Sequence, residues 1–190
     1  MTPSPSPALP GGEALRDAEA HARAEGTGLE AADLTGLWCF HQVWPRDGGA
    51  PQAAASGLLR ALQGSLEIGP AMAVGAMGEA GVLPLRNRVR IGLLELVFEG
   101  EGELVGRRPL LRFWFHRWQL RLGDRVLLER LLVRPAPRAL PFFALIARGS
   151  DGGGGAWLAA RGRGGGLALW RLAAAAGSAD PAGQEQEATP

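Results

Sequence analysis

LRFWFHRWQLRL, residues 111–122, puts bulky side chains on both faces of an extended chain: Trp114 and Trp118 on one, Phe113 and Phe115 on the other. Successive side chains of a strand point to opposite sides, so a strand with one wet face has no use for this pattern. Its second face is covered by a helix or lines an apolar cavity. Around it the chain breaks into short apolar runs separated by glycine and proline. GLWCFHQVW (36–44) alternates, with Trp38, Phe40 and Trp44 expected on one face. Residues 89–98, 103–105, 125–133, 141–148, 156–160 and 166–173 follow as further strands. Many short strands joined by turns predict a mainly β fold, an antiparallel barrel or half-barrel, rather than βαβ units. Leu58, Leu59, Leu62 and Leu66 have helical spacing, with Ser56 as a cap, and predict one short amphipathic helix after the first strand.

The barrel domain is expected over residues 28–172. Residues 1–12 (MTPSPSPALPGG) are too rich in Pro and Ser to build a core. EALRDAEAHARAE (13–25) has helix-forming composition without an apolar stripe, so a disordered or marginally helical extension is predicted over 1–27. A flexible tail is predicted over 173–190. No secretory signal is expected, because the start lacks a basic and an apolar region. No uncharged run reaches the roughly 18 apolar residues of a spanning helix. With Cys39 as the one cysteine, a cytoplasmic protein is expected, with any membrane contact peripheral.

The net charge of +1 hides a split: residues 1–85 carry −5, residues 86–171 carry +9 and the remainder −3, and every basic residue is arginine. An Arg-, Ala- and Gly-rich composition fits a GC-rich genome. The alternative is a positive face, with Arg107, Arg108, Arg112 and Arg117 touching anionic headgroups. Arginines interleaved with Trp114 and Trp118 also resemble a single-strand nucleic-acid surface, but aromatics inside apolar strands are ordinary core, and nucleic acid is not the expected partner.

Catalytic and metal chemistry find little footing. Cys39 and His41 share a strand face about 6–7 Å apart at the backbone, and His116 is the only further strand histidine; a zinc site needs three or four ligands. The serines fall in expected loops, helix and tails, with no nucleophile elbow. The glycine runs lack phosphate-loop spacing. No catalytic residue, metal centre or cofactor is predicted.

Two motifs carry a resemblance. Gly36-x-Trp38 is similar to the opening strand of lipocalin-type barrels. RGRGGGLALW (161–170) resembles the closing motif of the plastid lipid-associated protein (fibrillin) family, with Arg161, Gly162, Gly165 and Leu167 in its positions. The acid that the family commonly carries a few residues before that arginine is missing, since Trp157–Ala160 occupy the stretch. The resemblance implies a lipocalin-like barrel, of cyanobacterial type, that binds a carotenoid, quinone or other lipid near a thylakoid membrane. Gly36, Trp38, Arg161 and Arg171 are then expected to close the barrel, an arginine stacking on Trp38 for about 0.5–2 kcal/mol.

Cavity residues are expected among Phe40, Trp44, Leu94, Leu96, Phe113, Phe115, Leu128, Phe142 and Trp157. The enzyme alternative is a bilin lyase of similar fold, which requires Arg and acidic side chains inside the cavity. The structural alternative is a barrel filled by its own side chains and serving as a protein-interaction module. The ligand and oligomeric state stay open.

Overall fold

A computed structural model describes residues 9–173 except 48, 54, 56, 58–60, 71, 75–78 and 152. Helix α1 (Gly12–Glu25) and the one-turn α2 (Ala31–Leu34) precede ten strands: β1 (Gly36–Trp44), β2 (Ser65–Ile68), β3 (Met72–Val74), β4 (Glu79–Ile91), β5 (Leu94–Val105), β6 (Leu110–Leu122), β7 (Arg125–Leu131), β8 (Phe142–Ser150), β9 (Ala156–Gly162) and β10 (Leu167–Leu172). A 3₁₀ turn, Pro137–Ala139, lies between β7 and β8. In the amphipathic segment expected after β1, residues 56 and 58–60 lie outside the described residues. Of its described positions only Gly57 and Ala61 are helical, Leu62 and Gln63 form a turn, and its end, Ser65–Ile68, is β2 rather than helix.

The pairing is antiparallel throughout and closes on itself. β1 pairs with β2, β2 with β4, then β4–β5–β6–β8–β9–β10, and β10 returns to β1. These eight strands form a barrel-like ring, which leaves no edge among them. β3 and β7 stand off the ring, paired to β4 and β6. Two expected strands are redrawn. Residues 89–98 form no single strand but a hairpin, turning at Gly92 (φ 59°), and residues 103–105 are the end of β5 rather than a separate element.

The hydrophobic core has two compartments. Inside the ring lie Trp38, Ile68, Leu83, Leu85, Leu111, Leu145, Leu158, Ala160 and Trp170, sealed at one end by Leu34 of α2. Outside it, Trp44, Ile146, Ala159, Leu167 and Leu169 pack against Leu15 of α1. A β-bulge adds one residue to a strand and shifts its alternation. Register breaks between Phe40 and Gln42 in β1 and between Leu145 and Ala147 in β8 pass each strand from the inner to the outer compartment. A third break puts His116 of β6 opposite the step from Glu99 to Gly100.

Gly100 at that break has no room for a side chain. A Cβ there would lie 2.0 Å from the Trp114 carbonyl oxygen and 2.7 Å from the Phe115 Cα. Both are backbone atoms, so Gly100→Ala must part β5 from β6. The expected loss is about 1–3 kcal/mol, read as a lower midpoint in urea unfolding.

Helix α1 is docked rather than marginal. Leu15, Glu19 and Ala22, spaced four and three apart, form its buried stripe. Gly26 ends the helix at φ 87°, its N–H donating to the Ala22 carbonyl. A side chain at Gly26 would meet the Arg107 carbonyl at 2.7 Å, so the position suits glycine twice over. No helix among the described residues is long and apolar enough to cross a membrane.

Candidate functional site: an aromatic-lined interior and a buried carboxylate

Leu111 and Phe113 of β6 sit across from Leu104 and Gly102 of β5 and beside Phe143 and Pro141 at β8, so the odd residues of β6 before its bulge point inward. Phe115 continues that face. The ring centroids of Phe98 and Phe115 are 5.4 Å apart, Phe115 and Phe113 5.6 Å, Phe113 and Phe143 5.1 Å, Phe143 and Trp170 5.3 Å, and Trp170 and Phe40 6.4 Å. Six aromatic rings thus run as one unbroken chain along the interior. Such offset and edge-to-face pairs add about 0.5–1.5 kcal/mol each beyond their buried area.

Beside this chain lies a cavity of about 200 Å³. Phe40, Phe113, Phe115, Phe143 and Trp170 line it with Leu66, Leu85, Leu111 and Val89. Its polar lining comes from Gly64, Ser65 and Asn87, and no charged residue contributes to it. Asn87 has no side-chain hydrogen-bond partner among the described residues.

Of the expected cavity residues, Phe40, Phe113 and Phe115 lie on the cavity wall. Leu96 is half-buried, in register with Val89 of the wall. The others are elsewhere. Trp44 follows the β1 bulge and packs under α1. Phe142 and Trp157 sit one residue out of phase with the inward Phe143 and Leu158, on the outer face. Leu94 lies at the end of the β4–β5 hairpin and is exposed; Leu128 is exposed because β7 stands off the ring. Leu94 with Ile91, Leu93, Leu122 and Val126 forms an exposed apolar end on the paired hairpins. Trp170, Phe143, Leu66, Leu85 and Asn87 were absent from the expected set; for Phe143 and Trp170 the missing information was strand phase, for Asn87 its lack of any apolar signal.

The barrel-closing expectation divides. Trp38 is fully buried, its indole Nε1 donating to the Leu34 carbonyl at 2.7 Å. Gly36 adopts φ 139°, and a Cβ there would strike Leu172 Cδ1 at 2.5 Å. Neither arginine stacks on Trp38, however. Arg171 pairs with Asp151 at 2.5 Å. That carboxyl, with a backbone N–H from Gly155 and the Arg171 charge upon it, is held below its ordinary range. A cation–π contact forms elsewhere, with Arg134 over Trp114, 3.6 Å from the ring centroid. Arg161 reaches α1 instead.

Glu19, with its side chain 4 % exposed, receives three arginines. Arg161 Nε donates to both carboxylate oxygens at 2.8 and 2.9 Å, and its NH2 also contacts Oε2. Arg108 and Arg23 each reach Oε1 at 2.8 Å. Burial pushes the Glu19 carboxyl up, but the Arg161 hydrogen bonds and the charges of Arg161, Arg23 and Arg108 outweigh it, and the group is held below the usual carboxylate value. Arg161 NH1 also donates to the Arg46 and Gly165 carbonyls. One guanidinium therefore ties α1, the β1–β2 loop and the β9–β10 turn together.

The remaining arginines of the expected headgroup patch are engaged too. Arg112 pairs with Glu103 at 2.9 Å, Arg117 with Glu99, and Arg107 donates to the Glu25 carbonyl. On the outer face Arg86 joins Glu99 at 2.7 Å and Arg88 joins Glu67 at 2.5 Å. Of these pairs only Arg88–Glu67 draws its acid from outside residues 86–171, so most of the positive excess of that stretch remains. Cys39 is exposed. Among the described residues no group of three or more His, Cys, Asp or Glu is placed to hold a metal ion. Comparison with models of protein families, with curated proteins and with solved structures finds no match to this chain.

Proposed function

We propose that the protein is a non-catalytic carrier that takes the ring end of an apolar molecule, such as a quinone or carotenoid, into the barrel interior. The continuous chain of six aromatic rings beside an apolar cavity is the observation that carries this reading. The volume of about 200 Å³ is below the roughly 300–1,000 Å³ of whole-ligand pockets, which favours one inserted ring with the rest of the molecule outside. The resemblance of residues 34–43 and 161–170 to fibrillin motifs points the same way and suggests a photosynthetic membrane as the setting. The exposed apolar hairpin end supports peripheral contact with such a membrane. The uncharged cavity lining favours a carrier over a bilin lyase, which needs polar groups to orient its chromophore.

A short-chain quinone and β-carotene, titrated separately, are expected to quench tryptophan fluorescence, since Trp170 lines the cavity. Val89→Phe adds a ring to the half-buried wall and is expected to weaken binding at least about tenfold. Absence of quenching by both, or equal quenching in V89F, overturns the reading in favour of a filled barrel.

A further inference from the structure

A second cleft lies outside the ring, between α1 and the strands β6, β8 and β9. Its volume is about 880 Å³. Leu110, Ala144 and Arg161 stand in one row across the three strands, by register, and Phe142 is next to them. The apolar members make the floor, and six arginines (16, 23, 46, 108, 161 and 163) face two acids, Glu19 and Asp47. The cleft therefore carries a formal excess of four positive charges, against +1 for the whole chain.

The excess is not absorbed internally. Arg23, Arg108 and Arg161 share the single carboxylate of Glu19. Arg163 donates to the carbonyls of Arg138, Ala139 and Leu140, which neutralise no charge. The side chains of Arg16 and Arg46 have no partner among the described residues. The Nε of Arg108 is buried and has no hydrogen-bond acceptor. The Arg108 side chain as a whole is 25 % exposed, and guanidinium groups match the oxygens of phosphate in pairs.

We propose that this cleft binds a phosphate-bearing molecule, its phosphate held by Arg16, Arg46 and Arg108 and its organic part resting on Leu110 and Phe142. A bare ion would leave the apolar floor and most of the volume empty. The phosphate belongs to a soluble ester or to a lipid headgroup, and the two sources separate experimentally.

Pyrophosphate titrated by calorimetry in low-salt buffer tests the soluble source. Flotation with phosphatidate vesicles, against phosphatidylcholine vesicles, tests the lipid. The Arg16→Gln/Arg46→Gln double variant removes two exposed side chains that hold no ion pair, so circular dichroism is expected to be unchanged. Binding of either probe is expected, weakened at least about tenfold in the double variant, because hydrogen bonds to charged groups are lost. Binding of pyrophosphate assigns a soluble ester, and phosphatidate binding alone assigns a headgroup. No binding of either probe, or binding that the double variant retains in full, overturns the site.

Discussion

Glu19→Ala is expected to lower stability by about 2–4 kcal/mol, as breaking one side of a buried ion pair does, discounted for the partly exposed arginines. The substitution leaves Arg161, 15 % exposed, facing Arg108 and Arg23 across an empty position. It also removes the polar anchor that holds Leu15 over Trp44. Trp44 emission shifting to longer wavelength, with a lowered urea midpoint, is the expected signature.

Acid should do the same reversibly. The folded carboxyl of Glu19 is held below its value of 4.5 in an unfolded chain. Its stabilising contribution is therefore complete above that value and is lost as pH falls through the folded one. Glu99, held down by Arg117 and Arg86 against its burial, adds to the same acid limb. The acid limb of the stability curve is expected to be shallower in E19A than in the native protein. Equal limbs would show that the carboxylate does not hold α1 down.

Trp38→Ala is expected to cost about 3–5 kcal/mol, the usual range for deleting a large buried aromatic. Trp38 is the largest fully buried side chain and fills the ring beneath Leu34. Trp38→Phe keeps most of that contact but orphans the Leu34 carbonyl, which now accepts the indole N–H, and a loss of about 1–3 kcal/mol is expected. Urea unfolding of the two variants separates packing from hydrogen bonding. A W38A midpoint near that of W38F would mean that the hydrogen bond, not the ring's volume, closes this end.

The ring of strands was legible because period-2 alternation and Gly/Pro punctuation are local. GLWCFHQVW became β1 without adjustment, and LRFWFHRWQLRL became β6 with one residue more at its start. Phase was not legible. A bulge leaves no residue signature in HQV or LIA, yet it decides that Phe40 faces in and Trp44 out. The same one-residue ambiguity exchanged Phe142 for Phe143. Helix α1 looked stripeless because its central buried residue is a glutamate. Leu15, Glu19 and Ala22 become a stripe only when Arg161, 142 residues away, is known to receive the charge. The one-carboxylate, three-arginine cluster and the cleft beside it are products of that long-range pairing, which no local pattern encodes.

The pairing of β1 with β10 has a consequence for how the molecule comes into being. Trp38 is opposite Leu172, and Trp44 opposite Leu167, so the first ring strand waits for the last. During synthesis every other ring contact can form while β1 and β9 still present open edges. Contacts so distant in sequence are costly to close and slow. The nascent protein therefore passes through a stage with two adhesive borders and an unsealed apolar interior, a natural window for chaperone capture or intermolecular pairing. That window shuts with the last six residues of the ring.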